Sequence, residues 1–343
     1  MSKASSRIVR FYCVAFATTI LLLCLLLFVG PVRIPFSSIV DILCGITPEV
    51  SFWSTIILDT RLPMAVAALC CGASLSVAGL VMQTTFMNPL AGPSILGVTS
   101  GASLGVALCM LGGLSFSIPV LTGFANILGA LLGAFSVVLI ILCFSSILKN
   151  GVMLLIVGIM ISYLSSSLIS LLNFFSPAEE IRSFLFWGLG SFSGLQLQES
   201  MWLLIFSLVV ILVSMSLIKP LNALLLGERY AVSLGYSMTN LRGVIFLITG
   251  FLIAVPTAYC GPIGFIGLIV PHFARMILRT SNHAQLMPAS ALLGSLTALF
   301  CALLTVLPAA EYGVLPVNVI TPIIGVPVII YILVNRNRMF YFK

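Results

Sequence analysis

The sequence predicts an all-α integral membrane protein with about ten transmembrane helices and both termini in the cytoplasm. Three observations carry this reading. Hydrophobic residues fill 61% of the 343 positions and charged ones 7%, with a mean hydropathy of +1.26, whereas a soluble domain is about 25% charged. Positions 62 to 148 hold no Asp, Glu, Lys or Arg, which leaves room for about three helices of roughly 20 residues each. The charged residues that remain divide by sign between alternate loops.

Taken in order, the first apolar run is Phe11 to Val29, preceded by Lys3, Arg7 and Arg10. It reads as a retained anchor, because it is longer than the apolar core of a secretory leader and no small-x-small site follows. The second run, Leu62 to Met82, is rich in small residues: Gly72, Ala73, Ser74, Ser76 and Gly79. In the third (Pro93 to Leu111) and fourth (Pro119 to Phe144), Gly97, Gly101 and Gly105 recur every four residues, as do Gly129 and Gly133. Such spacing lets helices approach closely where lipid supplies no hydrophobic drive. The fifth run, Val152 to Leu172, places Ser162, Ser166, Ser170 and Asn173 along one face. That face suits either interhelical hydrogen bonds or a wet passage. Five further runs follow: Met201 to Ile218, Val244 to Ala258, Ile263 to Ile277, Gln285 to Leu307 and Val317 to Val334. The whole is one polytopic domain over 1–343.

Orientation follows from charge. With the N-terminus inside, twelve basic residues face the cytoplasm: Lys3, Arg7, Arg10, Lys149, Lys219, Arg229, Arg242, Arg275, Arg279, Arg336, Arg338 and Lys343. Three face out, Arg33, Arg61 and Arg182, and of the acids only Glu228 lies inside. This satisfies the positive-inside rule. The net charge of +7 is then explained by orientation and anionic membrane lipid, with no nucleic-acid partner.

Between the sixth and seventh runs, Leu224 to Gly235 reads LLLGERYAVSLG. Gly227 and Gly235 bracket roughly two turns of possible helix, with Leu226, Tyr230 and Leu234 on one face. A short amphipathic helix on the cytoplasmic side is a handle for a partner.

What is missing narrows the function. No predicted span has Asp, Glu, Lys or Arg near its centre, where proton- and sodium-coupled carriers commonly keep their relays. GxxxxGK[ST] and HExxH are absent, so no catalytic residue, metal ligand or nucleotide site is assigned and no cofactor is expected on this chain. The nine cysteines form no CxxC pair and read as small core residues. His272 reads best as a hydrogen-bonded structural histidine.

Three stretches then combine. Arg61-Leu62-Pro63 leads into the small-residue span, Gln83 and Asn88-Pro89-Leu90-Ala91-Gly92-Pro93. LLLGERYAVSLG is the second. The third runs from Gly261-Pro262-Ile263-Gly264-Phe265 to Pro271-His272 and Arg275, with Leu315-Pro316-Val317 and Ile324-Gly325-Val326-Pro327 beyond. In this order they resemble the FecCD-type permease family, the membrane subunits of ABC importers for ferric siderophores, haem and cobalamin.

The resemblance implies a type II importer permease in the bacterial cytoplasmic (inner) membrane. It implies a second permease subunit, as homodimer or heterodimer, two cytoplasmic ATPase subunits that hold ATP and Mg, and an extracytoplasmic substrate-binding protein. On that pattern Leu226, Gly227, Glu228, Arg229, Tyr230, Leu234 and Gly235 couple to the ATPase, with Glu228 and Arg229 setting its position through polar contacts. Asn88, Pro89 and Leu90 form the inner gate. The serine face of the fifth span lines the pathway, and Arg61 meets the binding protein. Three departures bear on that last contact: Met64 stands where a second arginine is usual, Ala298 to Leu307 lacks the usual aspartate and arginine, and Val314-Leu315-Pro316-Val317-Asn318 replaces ELPxG. From the residues alone, a passive channel whose cytoplasmic helix is only structural is the alternative.

Overall fold

The computed structural model describes residues 3–46, 50, 52–113, 119–148, 151–307 and 313–334. Glu49, Lys149, Glu311, Arg336, Arg338 and Lys343, used in the charge balance, lie outside the described residues. Among the described residues every regular element is helical.

The ten apolar runs fall on ten helices: α1 (Lys3–Phe28), α4 (Leu62–Thr85), α5 (Val98–Met110), α6 (Pro119–Ile147), α7 (Gly151–Phe175), α9 (Leu197–Ser214), α12 (Met238–Cys260), α13 (Ile266–Leu278), α14 (His283–Val306) and α15 (Val317–Val334). Five shorter helices join them: α2 (Phe36–Leu43), α3 (Phe52–Ile56), α8 (Ala178–Gly188), α10 (Ile218–Leu224) and α11 (Glu228–Ser233). A π-helical stretch, Ile57–Arg61, carries α3 directly into α4.

Among the described residues seven helices are long and apolar enough to cross a membrane. The third and eighth runs differ from expectation. Both form helices of 13 residues, or about 20 Å, against about 30 Å of hydrocarbon. Part of each predicted run is spent on irregular backbone at its start, residues 93–97 and 263–265.

The fold is built around α4. Its 18-residue apolar stretch is 89% buried, against 17% for α7, and α9, α12, α13 and α14 pack on it. Small residues make this possible. A Cβ at Gly72 would lie 2.1 Å from the carbonyl oxygen of Gly294, and one at Gly79 only 1.7 Å from that of Gly267. Pro271 has no N–H to give the Gly267 carbonyl four residues back, and this is the oxygen that lies against Gly79. The predicted α5–α6 seam is built in the same way: a Cβ at Gly105 would sit 1.9 Å from Gly129 O, and one at Gly133 2.1 Å from Gly101 O.

Cysteine placement corrects the expectation of core positions. Cys70, Cys71, Cys260 and Cys301 are buried, but Cys13, Cys24, Cys44 and Cys143 are exposed. In a membrane an outward-facing thiol meets lipid, so polarity does not force it inside.

Hydrogen bonds sort the helix ends into two sets. At one end Tyr12 Oη donates to Gln285 O, Arg275 Nη1 to Gln83 Oε1, and Thr84 meets His283. This gathers the starts of α1 and α14 with the ends of α4 and α13. At the other end Arg61 donates to Leu27 O and Phe28 O, Ser191 N to Cys260 O, and Val317 N to Gly190 O. Arg7 and Arg10 at the start of α1 and Arg275 and Arg279 at the end of α13 belong to the first set, here called the basic end. α10 with Lys219 joins it through the bonds of Asn222 to His283 and Asn282, leading on to Arg229 on α11 and its neighbour Arg242 at the start of α12.

Candidate functional site

At the basic end α4 stops at Thr85, and the chain breaks from 86 to 97 before α5 begins. Met87 adopts φ 47°, rare for a side chain with Cβ. Asn88 Oδ1 accepts from Leu90 N at 2.9 Å, a side-chain turn that competes with helix, and Pro89 disfavours helix at Asn88. A 3₁₀ turn, Pro93–Leu96, and Gly97 at φ 75° complete the break. Asn88 and Pro89 are half-buried and Leu90 is exposed.

α13 holds this break in place. His272 Nε2 lies 2.9 Å from Pro89 O; a carbonyl can only accept, so Nε2 carries the proton. This is the hydrogen-bonded structural histidine expected. Gln83, fully buried, receives Arg275 Nη1 at 2.6 Å on its oxygen and donates its nitrogen to Leu268 O at 3.0 Å. A Cβ at Gly267 would stand 2.5 Å from Pro93 Cγ.

The second break, residues 261–265, precedes α13. Gly261 takes φ 73°, and Phe265 takes φ 68°, ψ −39° with Ile266 N bonded to Gly264 O at 2.8 Å. Phe265 is therefore the centre of a positive-φ γ-turn, a strained conformation. Asn318 of α15 clamps the loop, accepting from Gly264 N at 3.0 Å and donating to Pro262 O at 2.6 Å. Irregular backbone at membrane depth persists only where protein buries it or a wet cavity adjoins it.

The segment 224–235 is a turn and the short helix α11. Gly227 at φ 103° starts it and Gly235 at φ 89° closes it. Ala231 is fully buried and anchors it, while Leu226, Tyr230, Val232 and Leu234 are exposed at 65%, 46%, 54% and 56%. The expected apolar face exists and looks away from the fold. Glu228 Oε1 pairs with Arg242 Nη2 of α12 while its side chain stays half-exposed, and Arg229 beside it is exposed as well.

The serine face of α7 is divided. Ser162 and Ser170 donate back to Gly158 O and Ser166 O at 3.0 Å each, satisfying themselves within the helix. Ser166 and Ser170 are exposed, and Asn173 Oδ1 is buried without a partner. Ser166 and Ser170 look outward from a single chain, while Ser165, on another face of α7, is buried and lines an open groove of about 450 Å³ between α5, α6 and α7.

Arg61 does not stand free for a docking contact. It is 7% exposed, and its guanidinium donates to Leu27 O at 2.6 Å, Phe28 O at 3.1 Å and Val32 O. It closes the orphan carbonyls at the end of α1, where a cation also suits the helix dipole.

Arg242, Asn222 and His283 were given no role by sequence reasoning. The signal was present: a polar residue at the edge of an apolar run has to find a partner. Which partner depends on contacts between helices, which one-dimensional spacing does not contain.

A helical bundle with two broken segments, glycine-lined seams and an exposed apolar handle at its basic end defines a polytopic membrane permease. The FecCD transport family matches residues 18–335, and the chain belongs to this family of ABC permease membrane subunits. It is 36% identical over 278 residues to the vitamin B12 import system permease protein BtuC of Salmonella newport (strain SL254), covering 81% of this chain and 83% of that protein, and the same figures hold for BtuC of Salmonella typhi. Among solved structures, an inward-facing metal-chelate type ABC transporter matches with TM-score 0.81 and 30% identity over 94% of this chain and 97% of that one. PsaBC from Streptococcus pneumoniae shares the fold at TM-score 0.55 and 14% identity, over 87% and 95% of the two chains. The chain is a multi-pass protein of the bacterial inner membrane.

Proposed function

We infer that this chain is the permease subunit of an ABC importer that carries a metal chelate inward, driven by a separate ATPase. The class of cargo is a ferric siderophore, haem or cobalamin. The BtuC relatives lend weight to a corrinoid, and the metal-chelate neighbour supports the broader class. The working unit contains ten spans per chain with both termini cytoplasmic, two permease copies, two ATPase subunits and an extracytoplasmic binding protein. ATP and Mg reside on the ATPase, and this chain carries no cofactor.

The observation that carries the reading is the handle. Leu226, Tyr230 and Leu234 are exposed on a segment anchored by Ala231 and by the Glu228–Arg242 pair. Such a face gains by burying its apolar area in a partner's cleft. The second copy fits the exposed side of α7, where Phe174 and Phe175 stand 80% and 76% exposed and Ser166, Ser170 and Asn173 would then face a shared axis.

Tyr230→Asp and Leu234→Asp test the reading in the purified chain mixed with its ATPase. Each should weaken the complex by about tenfold or more, as for a charge buried in an apolar contact, while the permease stays folded. Wild-type association and uptake in both variants would refute the coupling role. Growth rescue of uptake mutants on single iron chelates, haem or cobalamin identifies the cargo.

A further inference from the structure

Three elements of the basic end meet at one imidazole. His283, 1% exposed, opens α14; Thr84 lies in the last turn of α4; and Asn222 sits on α10, directly before the exposed handle. Thr84 Oγ1 is 2.8 Å from His283 Nε2, His283 Nδ1 is 2.8 Å from Asn222 Oδ1, and Asn222 Nδ2 is 3.0 Å from Asn282 Oδ1.

The direction of each bond is fixed by the next. The backbone N–H of His283 donates to Asn222 Oδ1 at 2.9 Å, which settles the amide orientation of Asn222, since an N–H can only donate. An oxygen at that position requires a proton on Nδ1. In the neutral ring Nε2 is then an acceptor, and the Thr84 hydroxyl, which also lies 3.1 Å from Leu80 O, turns its one proton to the ring at the shorter distance. Asn222 Nδ2 donates on to Asn282 Oδ1, which also accepts from Ala284 N at 2.9 Å as the cap of α14. One polar chain runs from the end of α4 to the base of the handle.

The geometry points to His283 as a positioning residue that ties the handle to the gate. Thr84 is four residues before Asn88, and Asn222 two before Leu224. The Gly72–Gly294 seam fixes α4 on α14 about three turns away; at the basic end a satisfied, buried chain of directional bonds sets the separation of their ends and links both to α10. A shift of the handle therefore pulls the end of α4, and with it the 86–97 break. The far side of the handle is tied to α12 by Glu228–Arg242. This assignment rests on the importer reading given above.

The test needs no identified cargo. The permease and its ATPase, in inside-out vesicles, carry Leu90→Cys, and its labelling by a membrane-impermeant maleimide is timed with and without ATP, the rate without Leu90→Cys being subtracted. In the otherwise wild-type chain ATP should change the rate by about fivefold or more, the scale of ordinary site-to-site coupling. Thr84→Val and Asn222→Ala should each reduce the change below about twofold, with ATPase binding and ATP hydrolysis retained. The double variant should lose no more than either single one, because both cut the same chain. Thr84→Ser keeps the hydroxyl and should keep the response. A full ATP response in Thr84→Val and Asn222→Ala overturns the assignment, as do additive losses in the double variant or a wild-type loop indifferent to ATP with the ATPase bound. Failure of the wild-type chain to bind its ATPase overturns the importer reading, and the assignment with it.

Discussion

Arg61 and Gly79 show how single residues are committed inside this bundle. Arg61 spends its guanidinium on two carbonyls at the end of α1 and on Val32 O just beyond it, and hydrogen bonds to a charged group contribute about 1.5–3 kcal/mol. Arg61→Ala should lower the thermal midpoint in detergent by several degrees, and Arg61→Lys should recover only part of it, since a point ammonium cannot reproduce a planar fork. Gly79 leaves no room for a methyl group beside Gly267 O. Gly79→Ala should cut the yield of folded protein about tenfold, on the scale of an overpacked core. Gly123, in α6 with nothing within 4 Å of its Cβ position, should accept alanine without loss, as measured by size-exclusion yield.

At the scale of elements the two breaks matter most. The loop 261–265 keeps its strained Phe265 because Asn318 secures both a donor and an acceptor around it. Asn318→Ala orphans Gly264 N–H and Pro262 C=O, and amide exchange in 261–266 should accelerate about tenfold to a hundredfold, corresponding to 1–3 kcal/mol of lost satisfaction. An unchanged exchange pattern would show that α15 does not hold the loop. The sequence already carried the reason for each break: Asn88-Pro89 disfavours helix in one, and Gly261-Pro262 with Gly264 in the other. Period alone did not reveal that α5 and α13 are thereby shortened to 13 residues, because apolarity continues through irregular backbone as readily as through helix.

For the whole molecule, composition was enough to give the class, an all-helical membrane protein, since lipid admits few alternatives to helices for a chain this apolar. The candidate site was legible in part. LLLGERYAVSLG and Asn88-Pro89-Leu90 stand out as local breaks of pattern, but the inward turn of Arg61 and the partners of Gln83, Asn222 and His283 arise from positions far apart in the chain. Orientation can be checked directly. Single cysteines at Leu226 and Val32, exposed at 65% and 37% at opposite ends, should react with an impermeant maleimide from the cytoplasmic and outer faces respectively, and labelling of both from one side would contradict the topology. The isolated chain should show no ATP turnover in a phosphate-release assay.

The glycine seams of α4 with α13 and α14, and of α5 with α6, carry one more consequence. Backbone pressed on backbone has no rotamers to exchange, so these pairs cannot ratchet past one another one side chain at a time. Each moves as a single rod. Any cycle of opening and closing therefore concentrates its rotation where the rods end, at 86–97 and 261–265, and leaves the packing between the rods as it was.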